Sequence, residues 1–396
     1  MSLINKIVDY PSCTIIWDEV WKIPEFKKLQ TTEQNPYWHG EIYVSRHIEQ
    51  VVNEIYKLCP IETSDVFMSV GDGSVRWQKR FYLMLAALFH DIGKGVTTKW
   101  NDEEQTWKSL HHAKVGEQIT RKLLWDEDFT LREIICSLVG NHMKPLYIYD
   151  SDNPIHRVIR LSEELVPFEW LLTLKTADCQ GSIIKEYDGW REKLDYAKEI
   201  AVKYECLNKQ YTFLNDYCRH KYFNENIEYP VIDIVDKDFN DDFCVYFMIG
   251  IPGSGKTTYR NTNLSNLPVV CRDEIRTEIG IKGEKPKGTK KQEDEVTNIQ
   301  NERILKYARQ KQSFIIDATN LKLMYRDKFR QMLYPYKPKI VYVYIEAPTY
   351  NETLTRRKGQ IPKDVINKMR ESFEFPKLYE CDELIIEKQC NNISID

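Results

Sequence analysis

The sequence predicts two domains, an all-α domain followed by an α/β domain with a parallel sheet, and three observations carry that prediction. The chain has 396 residues, more than one hydrophobic core commonly serves. In its first half apolar residues recur at spacings of three and four, the period of a helix with one buried face. In its second half short β-rich runs alternate with helical stretches, the pattern of strands joined by crossover helices.

The helical half is read from "HIEQVVNEIYKLC", "RWQKRFYLMLAALFHDIG", "HAKVGEQITRKLLW" and "LREIICSLVGNH". A hairpin is expected in "VTTKWNDEEQTWKSL", with "NDEE" as its turn. The alternating half contains "FCVYFMIG", "PVVCRD", "SFIIDATN", "KIVYVYIEA" and "ELIIEK", separated by helical stretches such as "EDEVTNIQNERILKYARQ". Of eight histidines, seven lie at or before residue 156, the last is His220, and none follows it. Between the halves, residues 222–243 are polar and acidic, with a central proline and no helical period. The expected division is therefore residues 1–222, a linker at 223–242, and residues 243–396.

Composition limits the function classes. With 42% hydrophobic and 29% charged residues the chain is an ordinary globular protein. Its longest apolar run, "FYLMLAALF", is far short of the roughly 18 to 20 residues that cross a bilayer. The start has no positively charged region followed by an apolar core, so no secretory signal is expected. Ten cysteines without a C-x-x-C pair point to free thiols in a reducing compartment, and a cytoplasmic enzyme is expected. The net charge of −4 names no partner, although "KGEKPKGTKK" at 282–291 reads as a basic loop, either a nucleic-acid contact or a solvated surface.

His47, His90, Asp91, His112, His142 and Asp178 fall on or at the ends of expected helices. Imidazole nitrogen with carboxylate oxygen suits Mn, Fe, Co, Ni or Zn. A divalent ion held so generates hydroxide near neutral pH and polarises a phosphoryl oxygen, which together hydrolyse phosphate esters. A His-Asp dipeptide alone is often only a hydrogen-bonded helix end. The whole series resembles the HD phosphohydrolase superfamily, with His47 in "YVSRHIEQV", His90 and Asp91 in "FHDIGKG", and Asp178 in "KTADCQGS". The resemblance implies an all-helical fold and a metal on those four residues. It implies a second metal or a substrate phosphate at His112 and His142, and a phosphate-donating role for Lys94. Ser182 stands where relatives acting on polynucleotides often carry a basic residue, with Arg157, Arg160 and Lys185 as possible replacements. His39, His111, His156 and His220 match no motif position and are read as surface or core.

In the second half "GIPGSGKTT", with Gly250, Gly253, Ser254, Gly255, Lys256, Thr257 and Thr258, follows a strand and opens a helix. Glycines let backbone N–H groups curl round phosphates, lysine reaches the β and γ phosphates, and the Thr257 hydroxyl ligates magnesium. ATP or GTP with Mg is therefore expected. Asp273 follows a strand, where it could take a proton from an attacking hydroxyl or act only as a helix N-cap, with Arg276 three residues on to hold an anion. Asp317 ends another strand and is read as orienting a metal-bound water or the nucleophile. Arg356 and Arg357 precede Ile361-Pro362. This set resembles the P-loop domain of polynucleotide 5'-kinases, through Arg272-Asp273-x-x-Arg276 and an arginine before the isoleucine-proline step. The resemblance implies a helical lid on the α/β domain and makes Asp273 the general base, Arg276 the grip on the acceptor phosphate and Arg356 the lid arginine on the donor.

Together the halves resemble bifunctional enzymes that heal broken nucleic-acid ends. That resemblance implies removal of 2',3'-cyclic, 2'- or 3'-phosphate at one end, phosphorylation of a 5'-hydroxyl at the other, RNA or DNA ends and NTP as partners, and a separate ligase. The alternative is a nucleoside, sugar or antibiotic kinase fused to an HD nucleotide phosphohydrolase.

Overall fold

The computed structural model describes residues 2–61, 75–184, 189–225, 227, 230, 242–281, 288–356 and 361–388. Most of the expected linker, residues 282–287 of the basic loop, Lys185 and Arg357 lie outside these residues. The chain forms two compact units, Met1–Thr212 and Phe213–Asp396, and the helix Asp216–Asn224 belongs to the second.

Helices dominate the first unit. Val44–Leu58 buries Val44, His47, Ile48, Val51, Val52 and Ile55, the three-and-four spacing that turns one face inward. That helix and Phe168–Gln180 pack on Val75–Phe89, while His112–Leu123 packs on Phe129–Asn141. Asp128 caps Phe129–Asn141 by accepting from Leu131 N at 2.9 Å. The expected hairpin is present, with Thr98–Asn101 antiparallel to Thr106–Ser109. A second, two-residue strand pair joins Val8–Asp9 to Thr14–Ile15.

One buried ionic group clamps two of these helices. Glu133 Oε2 accepts from Arg121 Nη2 at 2.9 Å and Glu133 Oε1 from Arg132 Nε at 2.9 Å, with Glu133 and both arginines buried. Burial alone would raise the Glu133 carboxyl, but Arg121 and Arg132 hold it below the ordinary range. A carboxyl lowered in the folded state contributes stability above its unfolded value, near about 4.3, and that contribution is lost as pH falls through the folded value. Glu133→Gln should therefore destabilise the first unit by about 3 kcal/mol at neutral pH, the low end for breaking a buried pair, because Arg132 and Arg121 lose the carboxylate between them while Glu117 still pairs with Arg121 at 2.7 Å. In thermal melts the gap between wild type and variant should narrow as the pH drops below about 4.

The second unit is a five-stranded parallel sheet. Its spatial order is Val269–Cys271, Phe314–Asp317, Cys244–Ile249, Lys339–Ile345 and Glu383–Glu387. The middle strands are almost continuously apolar, as strands covered on both faces must be, with Val245, Phe247, Phe314, Ile315, Ile316 and Val343 buried. Strand order reverses beside Cys244–Ile249, and in open α/β sheets ligands bind at such a switch point, beyond the carboxyl ends of the strands. Among the described residues no helix is long and apolar enough to cross a membrane.

Candidate active sites

In the first unit the ends of five helices bring six residues together. His47 sits in the first turn of Val44–Leu58, and His90 and Asp91 directly follow Val75–Phe89. His112 opens one helix, His142 is the C-cap of another, and Asp178 lies in the last turn of Phe168–Gln180. His47 Nε2 is 2.9 Å from Asp178 Oδ1, and His90 Nε2 is 3.3 Å from both His47 Nε2 and Asp91 Oδ2. His112 Nε2 and His142 Nε2 are 3.3 Å apart and lie 3.4 and 3.9 Å from Asp91 Oδ1. Asp91 thus presents one oxygen to each pair of histidines.

Three imidazoles are fixed in the same way. His90 Nδ1 donates to Ala87 O at 2.7 Å, His112 Nδ1 to Ser109 O at 2.9 Å, and His142 Nδ1 to Val139 O at 2.7 Å. A carbonyl only accepts, so each Nδ1 carries the hydrogen and each Nε2 offers its lone pair to the cluster. Burial lowers His112, and burial with the neighbouring imidazoles holds His142 well below the ordinary histidine range, so both stay neutral. For Asp91 burial acts upward, but Lys94 and His90 outweigh it and hold the carboxylate charged.

Two groups of donors, His47-His90-Asp91 and Asp91-His112-His142, each lie within 4.8 Å of one another. All five residues are buried or half-buried, and their hard and borderline nitrogen and oxygen donors fit a divalent cation. Buried Asp91 Oδ2 is 2.7 Å from Lys94 Nζ as an ion pair but accepts no well-directed hydrogen bond, which leaves a lone pair for a cation.

Lys94 is buried against the cluster, donating to Gln34 Oε1 at 2.7 Å besides its pairing with Asp91. Lys175, one turn before Asp178, holds Asp178 Oδ2 at 2.6 Å. Each carboxylate at the centre of the site therefore has its own buried lysine. Ser182 instead turns its hydroxyl back to Asp178 O at 2.9 Å, Arg157 and Arg160 are exposed, and Lys175 is the buried cation beside Asp178. Sequence reading passed over it, although a lysine three residues before an aspartate on an otherwise apolar helix face was a usable signal.

His39, read from the sequence as surface or core, is half-buried beside the cluster. His39 Nδ1 is 2.8 Å from Glu41 Oε1 and its Nε2 is 3.4 Å from Lys94 Nζ. Burial and Lys94 lower His39 to about 4, so it is neutral. The same Glu41 oxygen is 3.0 Å from His47 Nδ1. Glu41 reaches inward from a turn in which Ile42 takes φ 68°, a conformation that β-branched residues avoid and that binding sites often hold under strain. A carboxylate behind a ligating imidazole fixes the ring and strengthens its far nitrogen as a donor. Glu41→Gln should weaken metal binding about 10- to 100-fold in chelator competition, and it should also lower the melting temperature of the metal-free protein, because the buried carboxylate between His39 and His47 loses its charge.

In the second unit the glycine-rich loop follows Cys244–Ile249 and ends in the helix Lys256–Asn263. Gly250 has φ 151° and a Cβ there would lie 2.7 Å from Ile345 O, while Gly255 has φ 104°. Only glycine fits that cradle, which fits the phosphates of a nucleotide. Lys256 Nζ donates to Gly250 O at 2.8 Å and Ile251 O at 3.0 Å, so its ammonium lies over the loop. Ser254 is buried, and Thr257 and Thr258 are exposed in the first helical turn. Asn320, at φ 46°, ties its side chain to Met248 O at 2.9 Å and so pins the strand end beneath the loop.

Asp317 ends its strand and accepts from Arg260 Nη1 at 2.7 Å. Burial raises its carboxyl against the pull of Arg260 and Lys256. Asp273 is not an N-cap: the cap of Arg272–Glu278 is Cys271, and the Asp273 side chain is 79% exposed in the first turn. Arg276 is more committed than expected. Its Nε and Nη2 donate to the two oxygens of Glu293 at 2.9 Å each, and its Nη1 to Asp273 Oδ1 at 2.6 Å. Among the described residues three of its five N–H groups are thus used, and two remain for an anion. Arg272 Nη2 reaches the same Glu293 at 3.0 Å. The Arg276 hydrogen bonds pull Glu293 down to about 2. Arg356, ending the helix Tyr350–Arg356, donates from Nη1 to Gly253 O at 3.2 Å, which puts its guanidinium against the glycine-rich loop.

Residues 46–172 match the HD domain family, and residues 245–376 match the AAA domain family of P-loop proteins. The chain thus joins an HD-type hydrolase domain, of a class that binds divalent metals, to a P-loop kinase-like domain, which implies a nucleotide with magnesium. It is 25% identical over 177 residues to a bifunctional uridylyltransferase/uridylyl-removing enzyme of Cupriavidus pinatubonensis, covering 43% of this chain and 19% of that one. It is 31% identical over 123 residues to a CC-adding tRNA nucleotidyltransferase of Thermus thermophilus, covering 31% and 26%. The chain therefore spans about a fifth to a quarter of the length of these relatives. A solved structure of a candidate kinase from Chloroflexus aurantiacus aligns with 39% of this chain and 90% of its own, at TM-score 0.32 and 15% identity.

Proposed function

We propose that the protein heals broken nucleic-acid ends, its first domain removing 2',3'-cyclic, 2'- or 3'-phosphate and its second phosphorylating a 5'-hydroxyl. The observation that supports the reading is that one chain carries both a buried His/Asp cluster able to hold a metal and a glycine-rich loop of the kind that cradles phosphates. A strand cut to leave phosphate on one side and a 5'-hydroxyl on the other needs both ends exchanged before a separate ligase can seal it. The exposed carboxylate of Asp273 supports a large acceptor, since a chain end can approach it from solvent whereas a small sugar or nucleoside is commonly enclosed.

In the first site His47, His90, Asp91 and Asp178 would hold one divalent ion, and Asp91, His112 and His142 a second, with Asp91 shared. Mn, Fe, Co, Ni or Zn would each suit these donors. Such ions supply a hydroxide nucleophile and polarise the phosphoryl oxygen. Lys94 donates to the phosphate, and Lys175 keeps Asp178 charged and in place. In the second site Lys256 and the loop N–H groups hold ATP or GTP, Thr257 and Asp317 serve its magnesium, and Arg356 closes over the donor phosphates. Asp273 accepts the proton of the 5'-hydroxyl, while Arg276 keeps two N–H groups for the acceptor phosphate.

The test uses intact protein, a divalent metal, ATP and a labelled oligonucleotide with a 5'-hydroxyl and a 2',3'-cyclic phosphate. Both ends should be converted, and added ligase should then seal the strand. Asp91→Ala and Asp273→Ala proteins should each fail alone and restore sealing when mixed, because ends diffuse between molecules. Phosphorylation of free nucleosides with the oligonucleotide untouched would overturn the reading in favour of a small-molecule kinase.

A further inference from the structure

The second unit holds a cavity of about 560 Å³ whose wall includes Ile340, the second residue of Lys339–Ile345, and Asp382, which directly precedes Glu383–Glu387. The cavity therefore lies at the amino ends of these strands, whereas the glycine-rich loop follows the carboxyl end of Cys244–Ile249 in the same parallel sheet. Another part of the wall is one face of Asp216–Asn224, where Tyr217, His220, Lys221 and Asn224 recur at spacings of three and four. Arg330 and Tyr334, at the end of Leu323–Leu333, stand opposite in the same wall. None of the candidate ligands, phosphate-binding groups or catalytic residues of the two active sites lines this cavity. Its volume falls within the roughly 300–1,000 Å³ of small-molecule sites.

Two polar side chains of the wall each keep a buried atom without a hydrogen-bond partner among the described residues. Asp382 is 1% exposed, and its Oδ2 accepts from Ile340 N at 2.7 Å. Its Oδ1 accepts no well-directed hydrogen bond, although His220 Nδ1, from the one histidine of the second unit, lies 3.1 Å away. A carboxylate oxygen accepts from two donors, so His220 and a ligand can share it. Arg330 commits Nη1 to Asp327 Oδ1 at 2.6 Å and Nη2 to Asn224 Oδ1, while its buried Nε donates to no described residue. A buried donor and a buried acceptor left in this state favour a ligand that pairs with both.

The lining narrows the class of that ligand. Among the described residues no group of three donors able to hold a metal includes His220 or Asp382. A small anion would meet the Asp382 carboxylate, and Lys221 and Arg330 already face Glu225 at 3.6 Å and Asp327 at 2.6 Å. An organic cation would meet Lys221, Arg330 and Lys337, and a hydrocarbon would leave Asp382 Oδ1 unpaired. A nucleobase has the edge required, an N–H donor beside a carbonyl or ring nitrogen, and a flat face that stacks on a tyrosine ring. We propose that this cavity binds a nucleoside, with Asp382 Oδ1 accepting from the base, Arg330 Nε donating to it and Tyr334 stacking on it. The proposal goes beyond end healing and holds whichever acceptor the P-loop kinase-like domain phosphorylates.

Isothermal titration calorimetry of the intact protein with adenosine, guanosine, uridine and cytidine tests this, since nucleosides lack the phosphate that both active sites are equipped to hold. At least one should bind, at one per chain. Tyr334→Ala should raise its Kd roughly fivefold to a hundredfold, and Tyr334→Phe should restore most of the loss because the ring face is kept. Tyr334 is 62% exposed, so these variants keep the fold. Asp382→Asn should raise Kd roughly tenfold or more, because the amide oxygen stays on Ile340 N and the amide nitrogen then turns a donor toward the ligand. Melting curves identify any variant that fails to fold. If none of the nucleosides binds wild type at millimolar concentration, the proposal is overturned without any variant. Wild-type affinity in folded Tyr334→Ala and Asp382→Asn proteins would overturn it too. Binding lost in Asp273→Ala and kept in Tyr334→Ala would place the nucleoside at the acceptor position of the kinase-like domain, and the cavity would then be no nucleoside site.

Discussion

Asp91→Ala should reduce metal-dependent hydrolysis of a phosphodiester to background while 5' phosphorylation continues near the wild-type rate. Asp91 is the one residue common to both clusters of candidate ligands, with an oxygen toward each. Its loss removes a ligand from each and should lower activity by more than the roughly 10²-fold that marks the loss of a supporting outer partner. The substitution also strands Lys94, a buried cation whose carboxylate partner lies 2.7 Å away, so some loss of stability accompanies it. Asp91→Asn keeps the shape and is the better variant for metal titration. Metal content, hydrolysis of a generic phosphodiester and kinase rate, measured on one preparation, decide the matter. Equal loss of both activities would mean that Asp91 serves the fold and not the reaction.

Asp273→Ala should cut 5' phosphorylation about 10²- to 10⁴-fold, the range for a general base. Melting should hardly change, because Asp273 is exposed, is not the N-cap of its helix, and makes only a surface ion pair with Arg276. Lys256→Ala should remove the same activity by another route, the loss of positive charge over the phosphates. The two variants should differ in nucleotide affinity, which Lys256→Ala weakens and Asp273→Ala leaves close to wild type. Equilibrium binding of ATP by each separates a residue that holds the donor from one that serves the acceptor. A normal rate in Asp273→Ala would assign the proton transfer elsewhere.

The parts of the two sites that the sequence displays are those whose geometry is local. The His90-Asp91 dipeptide, the glycine-rich loop and the Arg272-Asp273-x-x-Arg276 helix each carry their spacing in consecutive residues, and helical or strand periodicity places them at the ends of elements. Glu41, His39 and Gln34 were not visible in this way. They come from a segment without period that includes the left-handed residue Ile42, and only the folded chain brings them to Lys94 and His47. Glu293 was missed for a related reason: it lies seventeen residues from Arg276 on another helix, and nothing in its neighbours shows that it will take two arginines. The competing role of Asp273 as an N-cap turned on where the preceding strand stops. It stops at Cys271, which takes the cap position itself, and such one-residue boundaries are where periodicity is least informative.

The imidazoles of His90, His112 and His142 are each anchored to the carbonyl three residues earlier, so the backbone sets the spacing of their donor nitrogens ahead of any ion. A cage built in advance from nitrogen and oxygen ranks first-row ions by the general affinity series, and supply then decides which one fills it. Protein purified over immobilised nickel should therefore carry nickel, and protein expressed in zinc-rich medium should carry zinc, whatever ion the cell normally provides. Activity compared between laboratories will follow the growth medium and the resin until the ion is stripped and replaced by a known one.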